Sequence, residues 1–290
     1  MRYSTQTLAL ARKIGIKSAV RTILDAGFQA IDMTMSYGEE RYALADDYKS
    51  LARELRSMAE DRGAVFNQAH APFGGGNEFY LEKTVPNFPR IFEFAGLLGA
   101  ECIVVHPLIL APHTERHEES FDANMEFYTR IAPYAVDSGI KIAIENMWER
   151  APQTGKIIPS TCDNPEEHAR YFDSLGDSRA FTLCLDVGHT ALTGGSPDRS
   201  VRVLRERLGA LHLHDVDGVS DLHTLPGLGK IDWALLTRAL GEINYKGYLT
   251  LECDKGYLDS FGEADVPAAL ARMRERVSAL ADEVDSYRKI

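Results

Sequence analysis

Three carboxylates and a set of imidazoles recur along this chain at one kind of position. The segments NQAH, CIVVH, IAIE, LCLD, LHLH and LTLE each end in an ionisable residue: His70, His106, Glu145, Asp186, His212 with His214, and Glu252. Alternate side chains of a strand point to opposite faces. In IAIE, Ile142 and Ile144 share one face, and Ala143 and Glu145 share the other. The same phase separates Leu183 and Leu185 from Cys184 and Asp186, Leu211 and Leu213 from His212 and His214, and Leu249 and Leu251 from Thr250 and Glu252. Glu145, Asp186, His212 and Glu252 then sit side by side on consecutive strands. Three buried carboxylates would repel one another and be forced to protonate. One divalent cation removes that conflict. Three oxygens and one nitrogen suit Mn²⁺, Mg²⁺, Co²⁺ or Zn²⁺, and ligand type alone does not choose among them.

The elements that must hold these groups alternate along the whole chain. Strands are predicted near residues 3–9, 28–34, 64–70, 101–106, 140–145, 180–186, 209–214 and 247–252. Amphipathic stretches lie between them, marked by Leu51, Leu55, Met58 and Ala59, by Phe92, Ala95 and Leu98, and by Leu235 and Ala239. Gly27, Gly63, Gly99, Gly139 and Gly209 are placed to end helices before the next strand. Eight such units with no break in composition predict an α/β fold: a single (β/α)8 TIM barrel over residues 1–290, rather than an open sheet. The segments 71–83, 107–118, 146–164 and 215–230 follow strands and are long, so the active site belongs at the C-terminal ends of the strands. The glycines at 74–76 read as a lid, since neither a phosphate-binding G-x-x-x-x-G-K-[ST] nor a G-x-S-x-G elbow is present.

The net charge of −11 argues against a broad nucleic-acid surface, and a hydrophobic content of 44% is that of an ordinary globular protein. Cys102, Cys162, Cys184 and Cys253 form no CxxC pair, and three of them are expected in strands as core residues, which fits a reducing cytoplasm. The start of the chain lacks a signal-like apolar core, and no apolar run approaches the ~18 residues that span a bilayer. A cytoplasmic protein without a membrane partner is expected, and a homo-oligomer is compatible with the fold.

LDVGH, HLHD, DLHTLPGLGKIDW and LEC, together with QAHAPF at 68–73, resemble the xylose-isomerase-like barrel superfamily. It includes sugar-phosphate isomerases and epimerases, ketose 3-epimerases, inosose dehydratases and endonuclease IV, and PGLGKIDW leans towards the sugar isomerase/epimerase branch. The resemblance implies metal ligation by Glu145, Asp186, His212 and Glu252. It places His70, His106 and His189 on substrate hydroxyls or behind the ligands. Trp148 covers a sugar face or simply packs, and His214 touches substrate or is solvated at the rim. Asp221 and His223 match an additional metal-binding pair of the nuclease. Asp32 ends the second strand facing inward, with its role open. His113, His117 and His168 are expected to be exposed, and Glu149 and Lys156 to be solvated loop charges.

The expected activity is that of a metal-dependent isomerase or epimerase acting on a small sugar, a ketose or keto-polyol. Glu145 and Glu252 exchange a proton with carbon through an enediolate. Ketose 3-epimerases of the superfamily carry arginine six residues after the strand-seven histidine; here that position is Gly218, which weighs against this one assignment. The alternatives are dehydration of an inosose at the same site and multi-zinc phosphodiester cleavage.

Overall fold

A computed structural model describes residues 1–35 and 42–288. Eight parallel strands form its central sheet: β1 (Arg2–Gln6), β2 (Ala30–Thr34), β3 (Val65–His70), β4 (Cys102–Val105), β5 (Lys141–Glu145), β8 (Phe181–Asp186), β9 (Leu208–His212) and β10 (Tyr248–Leu251). A short antiparallel hairpin, β6 (Trp148–Arg150) with β7 (Ile157–Pro159), lies in the segment after β5. The sheet runs β10-β1-β2-β3-β4-β5-β8-β9. Its two ends meet through one parallel bridge, Leu213 to Leu251, where Leu213 N–H donates to Thr250 O at 2.8 Å and Glu252 N–H to Leu213 O at 3.0 Å. The sheet is thereby a nearly closed (β/α)8 barrel.

Helices α2 (Ile16–Asp25), α3 (Tyr48–Glu60), α5 (Phe88–Leu98), α6 (His117–Ser138), α7 (Pro165–Leu175), α9 (Pro197–Leu204), α10 (Trp233–Glu242) and α11 (Val266–Tyr287) follow the eight barrel strands in turn. Three short helices, α1 (Leu8–Ile14), α4 (Gly76–Phe79) and α8 (Val187–Leu192), sit within strand-following segments. The strand-face alternation read from the sequence separates two cores. Ile142, Ile144, Leu183, Leu185, Leu211, Leu213, Leu249 and Leu251 pack outward in the main core with the helices. Each such leucine or isoleucine contributes about 1.5–3 kcal/mol by leaving water. Cys102, Val104, Ala143, Cys184 and Ala210 form a second, small cluster. Small side chains suit the interior of an eight-stranded barrel, where every strand contributes to one confined column.

Local signals set the element ends. Gly99 and Gly139 follow α5 and α6 with φ of 83° and 68°, a conformation that costs glycine little. Asn164 caps α7 by accepting from the N–H groups of Glu166 and Glu167, with Pro165 as the first helical residue.

Some expectations need correction. The first strand stops at Gln6, because the run from Leu8 is helical. Gly209 ends no helix: it lies within β9, where an added Cβ would come within 2.2 Å of Thr182 Oγ1. Leu235 is exposed, and α10 buries Leu236 and Leu240 beside the expected Ala239. Only Cys102 and Cys184 are in strands, although all four cysteines are free and buried.

Candidate metal centre and substrate cavity

Glu145, Asp186 and His212 are the last residues of β5, β8 and β9, and Glu252 directly follows β10. Their donor atoms converge within 4.8 Å of one another, all in buried residues. The nearest approach is made by His212 Nδ1, which lies 2.6 Å from Glu145 Oε1, 3.2 Å from Glu252 Oε2 and 3.9 Å from Asp186 Oδ2. The 3.2 and 3.9 Å spacings match ligands around one ion with bonds of about 2.0–2.2 Å, while the 2.6 Å contact is a hydrogen bond between His212 and Glu145. The other ring nitrogen, Nε2, faces Asp32 Oδ2 at 3.8 Å and, like Asp32 Oδ1, has no hydrogen-bond partner among the described residues. A nitrogen that ligates through Nδ1 carries its proton on Nε2, towards that carboxylate, which is the usual support of a metal-bound histidine. The residues present therefore fit a divalent cation.

The electrostatics make the same point. Burial opposes the charge on Glu145, yet His212 and His106 hold its carboxyl well below the usual range. Burial lifts Glu252 above the usual range, and lifts Asp32 as well. Among the described residues, the three carboxylates pair only with imidazoles, never with lysine or arginine. Asp186 has a second duty: its Oδ1 accepts from His189 N–H at 2.7 Å and so starts α8.

Three further histidines share one device. His70, His189 and His223 each place Nδ1 against a backbone carbonyl, of Ala71 at 2.8 Å, Asn146 at 2.8 Å and Glu252 at 3.1 Å. A proton donated there fixes each ring and turns its Nε2 towards a carboxylate, of Glu145 for His70 and of Asp221 for His189 and His223. All three line a cavity of ≈ 640 Å³ above the four-residue cluster. His106 also lines it, with Nε2 2.8 Å from Glu145 Oε2. Phe73 lies against the rings of His106 and His70, with centroids 4.6 and 4.9 Å apart. Trp148 forms another wall and meets His189 edge-on at 6.4 Å.

Asp221 and His223 come together as the sequence suggested, with Oδ1 3.0 Å from Nε2. With His189 and His214 they make a second group of converging ligand atoms. Burial works against charge on His189, but Asp186 and Asp221 lift it to about 9. His214 is not at the rim. It is fully buried, hydrogen-bonds Asp186 at 3.0 Å and stacks on His223 at 3.9 Å, so it is not solvated. Gly188 permits this, since a Cβ there would fall 2.0 Å from the His214 ring.

Other loop residues also differ from expectation. His113 and His168 are buried, whereas His117 is exposed. His168 Nε2 donates to Ile144 O at 2.9 Å, fastening α7 beside Glu145. Glu149 is buried and accepts from His113 N–H at 2.9 Å and Ser160 Oγ at 3.0 Å, while Lys156 is exposed as expected.

Two positioning residues escaped the sequence reading. Asn146 brackets Asp186, accepting from its N–H at 2.7 Å and donating to its carbonyl at 3.0 Å. Asp215, the last letter of HLHD, is a buried hub for the segment that follows. Its carboxylate accepts from Val216 N–H, Gly227 N–H, Ile231 N–H and Trp233 Nε1 at 2.8–3.1 Å. This explains PGLGKIDW physically: Gly227, Ile231 and Trp233 wrap one acid, and a Cβ on Gly229 would meet its Oδ1 at 2.3 Å.

The architecture is that of a (β/α)8 barrel with a carboxylate–imidazole cluster at the C-terminal mouth. Residues 20–286 match the family model described as xylose isomerase-like TIM barrel, and the chain belongs to that family. An uncharacterized protein, MJ1311, of Methanocaldococcus jannaschii is 29% identical over 82% of this chain and 78% of its own length. An inosose dehydratase of Klebsiella pneumoniae is 24% identical over 69% of this chain and 73% of its own. The crystal structure of a D-tagatose 3-epimerase-like protein superposes with a TM-score of 0.76 at 24% identity, covering 99% of both chains. No described helix is long and apolar enough to cross a membrane.

Proposed function

We propose that this chain is a divalent-metal-dependent enzyme that moves a proton next to a carbonyl of a small ketose or keto-polyol, as an isomerase or epimerase. The observation that carries the reading is the convergence of Glu145, Asp186, Glu252 and His212 Nδ1 beneath the cavity. Those four residues would hold the ion, with Mn²⁺ preferred. When bound it supplies Lewis acidity that polarises a carbonyl.

The remaining work falls to this chain's side chains. Glu145 and Glu252 both approach His212 Nδ1 and both line the cavity, so one carboxylate can take a proton from carbon and the other return it. His106 and His70 sit on Glu145 Oε2 and fix its orientation. The Nε2 atoms of His70 and His189 face the cavity, where they can hydrogen-bond substrate hydroxyls. Phe73 and Trp148 cover apolar sugar faces and exclude water. Return of the proton to the opposite face of the same carbon epimerises it, and return to the neighbouring carbon exchanges aldose and ketose. If a β-hydroxyl leaves instead, the outcome is dehydration of an inosose, and the dehydratase relative supports keeping that branch. Buried free thiols suit a cytoplasmic location.

The second ligand group, at Asp221 and His223, gives specific support to multi-metal phosphodiester cleavage as the other reading. That chemistry needs cations for phosphate, and Lys255 at the cavity wall is engaged by Asp221 at 3.5 Å. The test is a panel of ketoses, sugar phosphates and inososes incubated with metal-loaded protein in deuterium oxide. Label entering one carbon, lost with a chelator and restored by Mn²⁺, Co²⁺ or Mg²⁺, is the expected result. No exchange on any member, with cleavage of an abasic-site duplex by the zinc-loaded protein, would replace it with the nuclease reading.

A further inference from the structure

Away from the barrel mouth, we propose that His113, His117 and Glu167 form a separate zinc site that clamps the segment after β4 to α7. The three residues come from a single 3-10 turn (His113–Glu115), the first residue of α6 and the first turn of α7. His113 Nε2 lies 3.1 Å from Glu167 Oε1 and 3.1 Å from His117 Nδ1. The two rings meet nearly at right angles, 78°, with centroids 4.5 Å apart. All three donor atoms fall within 4.8 Å of one another.

Either one shared proton or a cation can hold this meeting together. A neutral imidazole nitrogen either donates or accepts. If His113 Nε2–H donates to Glu167, whose two carboxylate oxygens lie 3.1 and 3.2 Å away, His117 Nδ1 has only a share of the same proton. If it accepts from His117, its lone pair faces a carboxylate. A cation reconciles all three donors at once. The spacing also suits the ion, since tetrahedral ligands at Zn–N and Zn–O bonds of about 2.0–2.2 Å lie roughly 3.3 Å apart. Two imidazoles and one carboxylate favour zinc over magnesium or calcium. His117 is exposed, which leaves water room as a fourth ligand.

The position gives the site a structural task. Glu149 already holds the His113 backbone N–H from within the hairpin, at 2.9 Å. The segment that ends at His113 contributes Pro107 and Ile109 to the cavity wall. A zinc at His113 would fix that wall against both the hairpin and α7 without touching the cavity.

The test compares the intact protein with His117→Ala and Glu167→Gln after zinc loading and dialysis against a weak chelator. The expected result is one zinc fewer per chain in each variant, with unchanged exchange activity at the mouth in His117→Ala. Cobalt loading should give the intact protein an additional tetrahedral visible band that His117→Ala lacks. Zinc should also slow backbone hydrogen exchange across residues 107–118 in the intact protein alone. Equal zinc content in the intact protein and both variants would overturn the proposal and leave a hydrogen-bonded clamp. Because His117 is exposed, a folding defect in that variant does not confuse the result.

Discussion

Asp32 Oδ2 lies 3.8 Å from His212 Nε2, on the side of the ring away from the three carboxylates. Gln68 Nε2 donates to the same oxygen at 3.2 Å and keeps the acid in place. A carboxylate behind a ligating imidazole orients the ring and raises its basicity. Asp32→Asn keeps the shape and removes the charge. We expect metal affinity to fall about 10–100-fold while the circular dichroism of the barrel is retained. Unchanged affinity by calorimetry would show that Asp32 merely fills space.

Glu252 borders the centre next to the cavity, where a carboxylate can reach a substrate carbon. Glu252→Gln at saturating metal should slow deuterium exchange by about 10²–10⁴. The drop should appear in kcat more than in KM. Exchange at the normal rate in this variant would remove Glu252 from proton transfer.

Asp215 is fully buried and holds four donors from one segment. Asp215→Ala leaves the Trp233 Nε1–H and three backbone N–H groups unpaired. Since each such loss costs about 1–3 kcal/mol, a destabilisation of roughly 3 kcal/mol or more is expected by urea unfolding. Asp215→Asn should fall between the two, because one oxygen still accepts. A loss below 1 kcal/mol for the alanine variant would mean the segment refolds around other partners.

Burial pushes the Asp163 carboxyl up to about 6, from an ordinary value of 3.8. Between those values the folded chain keeps this proton and the unfolded chain releases it. Stability therefore declines as pH rises from about 4 to 6 and levels off above. The contribution at pH 7 is destabilising by about 1–3 kcal/mol after allowing for partial exposure. Asp163→Asn can still accept from Thr193 Oγ1, which now lies 2.7 Å from Asp163 Oδ1. It should flatten this part of the stability–pH curve. Parallel curves for the two proteins would refute the assignment.

The sequence was most readable where the information is local. The alternation of Ile142, Ala143, Ile144 and Glu145 is a property of one strand, and so is each of its counterparts. Four copies of one phase specify both the outer apolar layer and the inward direction of the acids. Loop residues obey no such period. His113, His168 and Glu149 look solvent-bound in sequence because their neighbours are polar. They are buried because α6, α7 and the hairpin close over them, and the Ile144 carbonyl that His168 reaches is 24 residues away. His214 shares the parity of His212, but parity does not say where the barrel wall ends and the covering helix begins. Asp215 is the clearest omission: an acid with four donors from later residues leaves only a glycine-rich stretch as its trace.

The single bridge between Leu213 and Leu251 joins the first and last members of the sheet, and His212 and Glu252 flank it. An ion gripped by these two residues would act as a rivet across the weakest joint of the cylinder. Mechanical integrity and turnover would then share one fastening. Circular permutants opened at this seam should lose both together, whereas cuts among the outer helical turns should spare them.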